Sequence, residues 1–368
     1  MRVLVAPDKF AGTLTAVEAA DAIAEGWRRR APDDELDLAP MADGGPGFVD
    51  VMHAALGGEL LAVTVEGPFG TPTPATILHA GDTAYVETAQ ACGLELTKAH
   101  LKKAQGAEFA TTVGVGELLL AAIGTGATTV VLGLGGSGTN DGGAGLLAAL
   151  GATSDGQMDI GVHDLDAVTR VDLGPARQRV AGVRLVAATD VDAPLTGLFG
   201  ATKTFGAQKG IAEHDLPRVD RVLEGFARAT DHRISLEPGA GAAGGLGFAL
   251  LLLGATRSPG IDLVTAAVRL PERAKAADLV LTGEGAFDFS SRSGKVPYGV
   301  ARVAEEALRP CVALAGQVLV GSREMRALGV ESAYSLVDLV GEERAFADPA
   351  GALAELAARV ARTWSRDP

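Results

Sequence analysis

The chain is short of several things, and each shortage closes a class of function. It has two cysteines, Cys92 and Cys311, far apart and each among apolar neighbours, so no disulfide framework is available and a reducing compartment is expected. Neither cysteine reads as a nucleophile. No apolar run reaches membrane-spanning length, the longest, Leu246 to Ala255, being about half of a span. The start, Met1-Arg-Val-Leu-Val-Ala-Pro7, enters a strand directly, without the apolar segment and small-residue cleavage site of a secretory signal, which predicts a cytoplasmic protein. Positive charge is scarce too. The net charge is −14, whereas nucleic acid or an anionic membrane as partner would need a basic footprint. An anionic substrate must then be held by local donors. His53, His79, His100, His163, His214 and His232 lack zinc spacing, and no Walker GxxxxGK[ST] is present, which excludes a P-loop kinase.

What the chain has in plenty is glycine, and the richest stretch organises the rest. Thr128-Thr-Val-Val-Leu132 is a β-branched apolar run that predicts a buried strand, Gly133 to Asp141 a glycine turn, and Gly142 to Leu150 a helix start. Such a loop collects backbone N–H groups at the positive end of a helix dipole and lets an anion approach, so a phosphate is its natural guest. Gly133, Gly135 and Gly138 also spell GxGxxG, but a dinucleotide site needs an acid about 20 residues on, at the end of the next strand. Ala152 to Ile160 reads as a loop, and GxGxxG recurs at Gly239, Gly241 and Gly244 after poor strand, so the NAD reading fails on context.

At 368 residues two domains are expected, with no internal repeat. Arg2 to Ala6 is a strand, followed by a helix opened by a capping box of Thr15 and Glu18, with Val17, Ala20, Ile23, Ala24 and Trp27 on one face. The basic triplet Arg28 to Arg30 is a solvated helix end. A second strand, Glu35 to Ala39, precedes another glycine loop and the helix Phe48 to Leu56. From Glu59 to Ala91 short alternating segments predict antiparallel strands and a different domain. The tail returns to alternation: strands at Asp278 to Leu281, Cys311 to Ala315 and Ala333 to Leu336, with helices at Pro297 to Leu308 and Pro349 to Trp364. Residues 282 to 295 read as a glycine-rich loop. Five strands with helical crossovers make a doubly wound parallel sheet, with the middle of the chain inserted in it.

Five predicted strand ends carry an acid beside glycine or a turn: Asp8, Asp43, Asp141, Asp190, and Glu284 with Asp288. Loops at the carboxyl ends of parallel strands converge on one crevice, so together these acids predict a metal and phosphate site with a general base, the set that kinase chemistry uses.

The motifs that carry these residues resemble the type I glycerate kinases, in the same order and over nearly the whole chain. They are Ala6-Pro-Asp-Lys-Phe10, Pro40-Met-Ala-Asp-Gly-Gly45, Thr111-Thr-Val-Gly-Val-Gly-Glu117, Gly135-Gly-Ser-Gly-Thr-Asn-Asp-Gly-Gly143, Ala188-Thr-Asp190, Gln208-Lys-Gly210, Gly239 to Gly245, Thr282-Gly-Glu-Gly285 and Gly294 to Ala301. The resemblance implies ATP-dependent phosphorylation of D-glycerate to 2-phosphoglycerate, with Mg²⁺. It also implies an α/β protein in which a flavodoxin-like domain, residues 1–61 plus 263–368, carries an inserted restriction-endonuclease-like α/β domain, residues 62–262, with the active site in the cleft between domains.

Asp190 is expected as general base, since it directly follows a predicted buried strand, Pro194 ends the loop after it and no histidine occupies a candidate site, with Asp8 as the other catalytic residue. Gly135, Gly136, Ser137, Thr139, Asn140 and Lys295 are expected at the nucleotide phosphates. Lys9, Asp43, Gly44, Gly45, Gly283 and Asp288 are expected at the substrate, and Asp141 and Glu284 at Mg²⁺. The sequence departs from the family pattern at four positions: Ala11 stands where the first loop carries Lys, Pro46 where Asp-Gly-Gly is followed by Glu, Ala286 where Gly-Glu-Gly is followed by Arg, and Ser290 where Gln is usual. These departures support a second reading, a weakened paralogue that acts as a binding protein or on another hydroxy acid. Lys9 and Arg292 stand near enough in sequence to compensate.

Overall fold

The computed structural model describes residues 1–10, 12–101, 106–288 and 295–365. Ala11, Ser290 and Arg292 lie outside the described residues. Along the chain the strands are β1 (Arg2–Val5), β2 (Glu35–Leu38), β3 (Glu59–Glu66), β4 (Pro72–Ala80), β5 (Thr83–Glu87), β6 (Thr129–Gly133), β7 (Thr153–Ser154), β8 (Val171–Asp172), β9 (Arg184–Ala188), β10 (Thr256–Ser258), β11 (Leu279–Phe287), β12 (Cys311–Val318) and β13 (Ser332–Ser335). The chain divides into two compact units, one of residues Met1–Asp43, Asp50–Leu56 and Pro259–Pro368, the other of Gly44–Val49 and Gly57–Ser258.

The first unit is built on a sheet in the order β13-β12-β11-β1-β2, every pair parallel. The first residues of its central strands β1, β11 and β12 are largely apolar because both faces are covered there. Val3, Val5, Leu279, Leu281, Val312 and Leu314 face one core with the helices Ala16–Arg30 and Pro349–Trp364. Leu4, Val280 and Ala313 alternate to the other face and are as fully buried. The first helix starts where the sequence places it: Thr15 accepts from the Glu18 N–H while the Glu18 carboxylate accepts from the Thr15 N–H. It also shows why Gly26 has no side chain, since a Cβ there would stand 1.8 Å from the Ala354 carbonyl oxygen of the facing helix. The sheet order reverses direction at β1, whose neighbours β2 and β11 lead the chain to opposite edges. In such sheets ligands sit outside the carboxyl ends of the strands at that point.

The second unit holds a mixed sheet, β10-β9-β6-β5-β4-β3, in which β3, β4 and β5 pair antiparallel and β5, β6, β9 and β10 pair parallel. The antiparallel strands expected after Glu59 are therefore one edge of a larger sheet. Its core includes Leu118, Leu132, Leu146, Phe226 and Phe248, all fully buried. One stretch, Ala107–Gly124, is long and apolar enough to cross a membrane by length and composition. Its Val115, Leu118, Leu119 and Ala122 are enclosed in that core. β7 and β8 form a separate two-stranded ribbon. The segment after the glycine stretch thus contains a two-residue strand where a loop was expected, but that strand does not join the six-stranded sheet and cannot end at a dinucleotide ribose.

β11 and β12 both run past their expected ends, β12 to Val318 where Ala315 was expected, for a shared reason. β11 runs from Leu279 to Phe287, so Thr282-Gly-Glu284-Gly-Ala-Phe287 is strand, where a glycine-rich loop was expected. Glu284 pairs with Ala315 and Ala286 with Gln317 on β12. The tight packing of neighbouring strands overrides the loop preference of glycine: a Cβ at Gly283 would lie 2.2 Å from the Leu314 carbonyl oxygen, and one at Gly316 2.3 Å from that of Gly285.

Candidate active site

In the first unit the carboxyl ends of the strands border a cavity of about 430 Å³. Asp8, Lys9 and Phe10 reach it from the turn after β1, Asp43 from the loop after β2, Glu284 and Ala286 from β11, and Gly316 and Gln317 from β12. Leu336, Val337, Ala345 and Phe346 close the β13 side, and Lys295 enters at the start of the helix Val296–Glu306. Each position follows from the strand before it. The Asp8 N–H donates to the Gly283 carbonyl at 2.8 Å and the Thr282 hydroxyl to the Ala6 carbonyl at 3.0 Å, so β1 and β11 stay in register to their last residues and present Asp8 and Glu284 together.

The electrostatics of this end are unusual. Burial pushes the Asp8 carboxyl up to about 6, opposed by Lys9 and reinforced by the nearby Asp43 carboxylate. The Asp8 carboxylate accepts from the Lys9 N–H at 2.7 Å and lies 3.6 Å from the Lys9 ammonium. The Lys295 ammonium stands 3.9 Å from Glu284 and 3.8 Å from Asp288. Three acids and two lysines thus share one open cavity, an arrangement suited to a proton acceptor set among cationic partners for an anion. Of the residues predicted from sequence, this cavity gathers Asp8, Lys9, Asp43, Glu284 and Lys295, with Asp288 beside Lys295. Gly283 is near but buried, its role being close strand packing.

The second unit treats its glycine loop differently. Gly44 to Gly47 lies across the ends of β5, β6 and β9: the Gly135 N–H donates to the Gly44 carbonyl at 3.0 Å, and the Gly47 N–H to the Glu87 carboxylate at 2.9 Å. A Cβ at Gly135 would come within 2.5 Å of Gly45, and one at Gly136 within 2.7 Å of the Pro46 ring. Gly135 and Gly136 thus lie close against the Gly44 to Pro46 loop. Gly136, with φ at +77°, is the exposed point of the loop. Pro46 packs on it.

Below that point the loop is sealed. The Lys209 ammonium is buried and donates to the Ser137 hydroxyl at 2.9 Å and to the Thr139 carbonyl at 2.7 Å. Burial pushes this lysine down to about 8, with Cys92 and Asp141 opposing the fall. The Asn140 amide donates to the Thr202 hydroxyl at 2.9 Å, while among the described residues Asn140 Oδ1 is buried without a hydrogen-bond partner.

Asp141, expected at a metal, is fully buried, and both carboxylate oxygens accept hydrogen bonds within the fold, from the N–H and hydroxyl of Thr112 and from the N–H groups of Gly143 and Gly145. It braces two helix starts, and burial raises its carboxyl above the ordinary range. Asp190 lies two residues past β9, half-buried, in the second unit.

Sequence reasoning missed Lys209 and Glu87 as charged groups of the second unit, and Phe346 and Gln317 as cavity walls of the first. Lys209 sits in Gln208-Lys-Gly210, a motif already singled out, and its lone charge among small residues was the available signal. The cysteines are as expected, since burial pushes both thiols up to about 12 and so leaves them inert. His163 stacks on Phe109 and His232 pairs with Glu224, structural uses both. Among the described residues no group of three or more His, Cys, Asp or Glu is placed to hold a metal by itself.

A family model described as the glycerate kinase family matches residues 3–365. The chain is 38% identical over 352 residues to a glycerate 2-kinase from Escherichia coli, covering 93% of this chain and 92% of that protein. It is 38% identical over 378 residues to a glycerate kinase from Halalkalibacterium halodurans, with 99% of each covered. A crystal structure of a candidate glycerate kinase 2 from Salmonella typhimurium superposes with a TM-score of 0.81 at 34% identity, covering 99% of this chain and 98% of that one.

Proposed function

This chain belongs to the glycerate kinase family, and from that membership we propose that it transfers the γ-phosphoryl group of ATP to the 2-hydroxyl of D-glycerate, yielding 2-phosphoglycerate and ADP. It is an enzyme of the phosphotransferase class acting on an alcohol acceptor. The observation that carries the finer reading is Asp8, a carboxyl raised to about 6 by burial, at the edge of an open cavity with two lysines. A carboxylate of that pKa is ionised at neutral pH yet basic enough to take the acceptor hydroxyl proton as the new O–P bond forms and the bond to the departing ADP oxygen breaks. Lys9 and Lys295 answer the repulsion between the glycerate carboxylate and the γ-phosphate, and the backbone around Gly136 remains a candidate for phosphate contact.

For Mg²⁺ the fit is by chemistry: this ion is usually held by one or two carboxylates plus phosphate oxygens, and Glu284 with Asp43 supplies hard oxygen donors of that kind at the cavity, where the ion would neutralise phosphate charge. The reading keeps a flavodoxin-like first domain, residues 1–61 plus 263–368, with an inserted α/β domain, 62–262. It is supported by the strand order of the first sheet, which counts 2-1-3-4-5 along that unit. A cytoplasmic location belongs to the same reading. Ala286, which lines the cavity where the resemblance implies Arg, favours the second reading of a weakened paralogue.

A coupled ADP-release assay with D-glycerate, and phosphorus NMR of the product, tests the proposal. The expected result is turnover at an ordinary kinase rate, about 1 to 100 per second, with phosphate on the 2-oxygen. Binding of ATP and D-glycerate without turnover would establish the paralogue instead.

A further inference from the structure

The cavity of the first unit has two chemically distinct sides, and glycerate can use only one of them. Its charged side lies at β1 and β11, and its other side, at β13 and the helices after it, is apolar. Glycerate carries an oxygen on every carbon and has no apolar face to offer Leu336, Val337 or Phe346. A three-carbon acid would also leave most of about 430 Å³ to water. That volume is in the range of sites that enclose a larger organic ligand, roughly 300–1,000 Å³.

Resting on the reading that the enzyme uses ATP, we propose that this cavity is the nucleotide site, with the adenine base on the apolar side and the phosphates directed to Lys9 and Lys295. Three strand spacings separate β13 from β1, roughly 14 Å at about 4.8 Å each, which matches the extended reach of a nucleoside triphosphate from base to terminal phosphate. Phe346 gives independent support. It is a large apolar side chain 62% exposed at the cavity wall, placed as a platform on which a planar base can stack. Gln317, on the strand between the two sides, offers an amide that can pair with the donor and acceptor edge of adenine. The glycine loop of the second unit, with the Gly135 and Gly138 N–H groups and Lys209 engaged within the fold, is then not the main nucleotide anchor.

Calorimetric titration with ADP and with tripolyphosphate, on the wild type, Phe346→Ser and Gln317→Ala, tests the assignment alongside the KM for D-glycerate. Because Phe346 is exposed, its replacement leaves the fold intact, as a thermal midpoint will verify. The proposal expects ADP affinity to fall about tenfold in Phe346→Ser, in keeping with the worth of base–aromatic stacking, and less in Gln317→Ala. Tripolyphosphate binding and the KM for D-glycerate should stay within about twofold, since neither ligand carries a base. Unchanged ADP affinity in both variants overturns the assignment. So does a loss confined to D-glycerate, which would make the cavity the acceptor site while leaving the kinase reading standing. A wild type that neither binds ADP nor phosphorylates D-glycerate refutes the kinase reading itself, and the assignment falls with it.

Discussion

The strand ends of the first unit and the glycine loop of the second both gather buried charge, but in the first the charges border an open cavity and in the second they are closed over by their own hydrogen bonds. Asp8 and Asp141 make the contrast sharp. Both are acids in the turns that follow strands, and burial raises both. Asp141 spends its oxygens on Thr112, Gly143 and Gly145, whereas Asp8 keeps company with Lys9, Asp43 and Lys295 around space a ligand can enter. A buried acid with its acceptors filled from the backbone is a brace, and one beside an accessible volume is a reagent.

The contrast can be broken first at its structural pole. Asp141→Ala leaves the N–H groups of Thr112, Gly143 and Gly145 without their acceptor, and should cost about 3–5 kcal/mol in chemical denaturation. A loss below about 1 kcal/mol would show that the loop does not depend on this brace.

Asp8→Asn should do the opposite to stability. The folded carboxyl titrates at about 6, above its ordinary 3.8, so the folded state holds the extra proton between those values and stability falls as pH rises through the window. The asparagine variant lacks that fall and should be more stable than wild type at pH 7 by about 1–3 kcal/mol, with no difference below the ordinary carboxyl range. Equal stability across the range would mean that Asp8 is not desolvated.

Ala286→Arg adds a cation to the cavity wall and should raise kcat/KM for D-glycerate about tenfold if the site is short of positive charge. No gain, in a wild type already turning over at an ordinary rate, retires the weakened-paralogue reading. The smallest effect is expected at Lys209→Met, about 1 kcal/mol at pH 7, since release of a buried charge offsets the lost hydrogen bonds. Its pH signature is clearer. Lys209 titrates at about 8 in the fold and at 10.5 ordinarily, so the unfolded chain holds more protons between those values and wild-type stability gains with rising pH there. The methionine variant should lose that slope, as denaturant midpoints at pH 8 and 10 will show.

Much of the first unit could be read directly. The capping box at Thr15, the five-strand alternation and the closing helix from Pro349 follow from local periodicity and capping chemistry, which do not depend on distant contacts. Glu284 was harder: Thr-Gly-Glu-Gly-Ala looks like loop because the strand-to-strand contact that requires those glycines comes from β12, some 30 residues on. Asp8 and Asp43 were legible as strand-end acids, whereas Lys9 and Lys295, the latter at a helix start, entered through the family resemblance. Whether Asp141 faced solvent, a ligand or the backbone depended on Thr112, from a separate motif, and no spacing reveals that. Of the acids expected in one crevice, Asp8, Asp43, Glu284 and Asp288 belong to the first unit and Asp141 and Asp190 to the second. Side-chain pattern along one strand cannot tell which sheet that strand joins.

The dependence of kcat on pH with D-glycerate, for the wild type, Asp8→Asn and Asp190→Asn, tests most directly whether the chemistry belongs to the open cavity. The account predicts a wild-type rate that rises through pH about 6 to a plateau, following ionisation of Asp8. Asp8→Asn should lower kcat on the order of 10²-fold or more and abolish that rise with ADP affinity retained, while Asp190→Asn keeps the rise. If Asp8→Asn keeps both rate and profile while Asp190→Asn loses them, the base is Asp190, in the second unit, and the assignment of catalysis to the first is wrong.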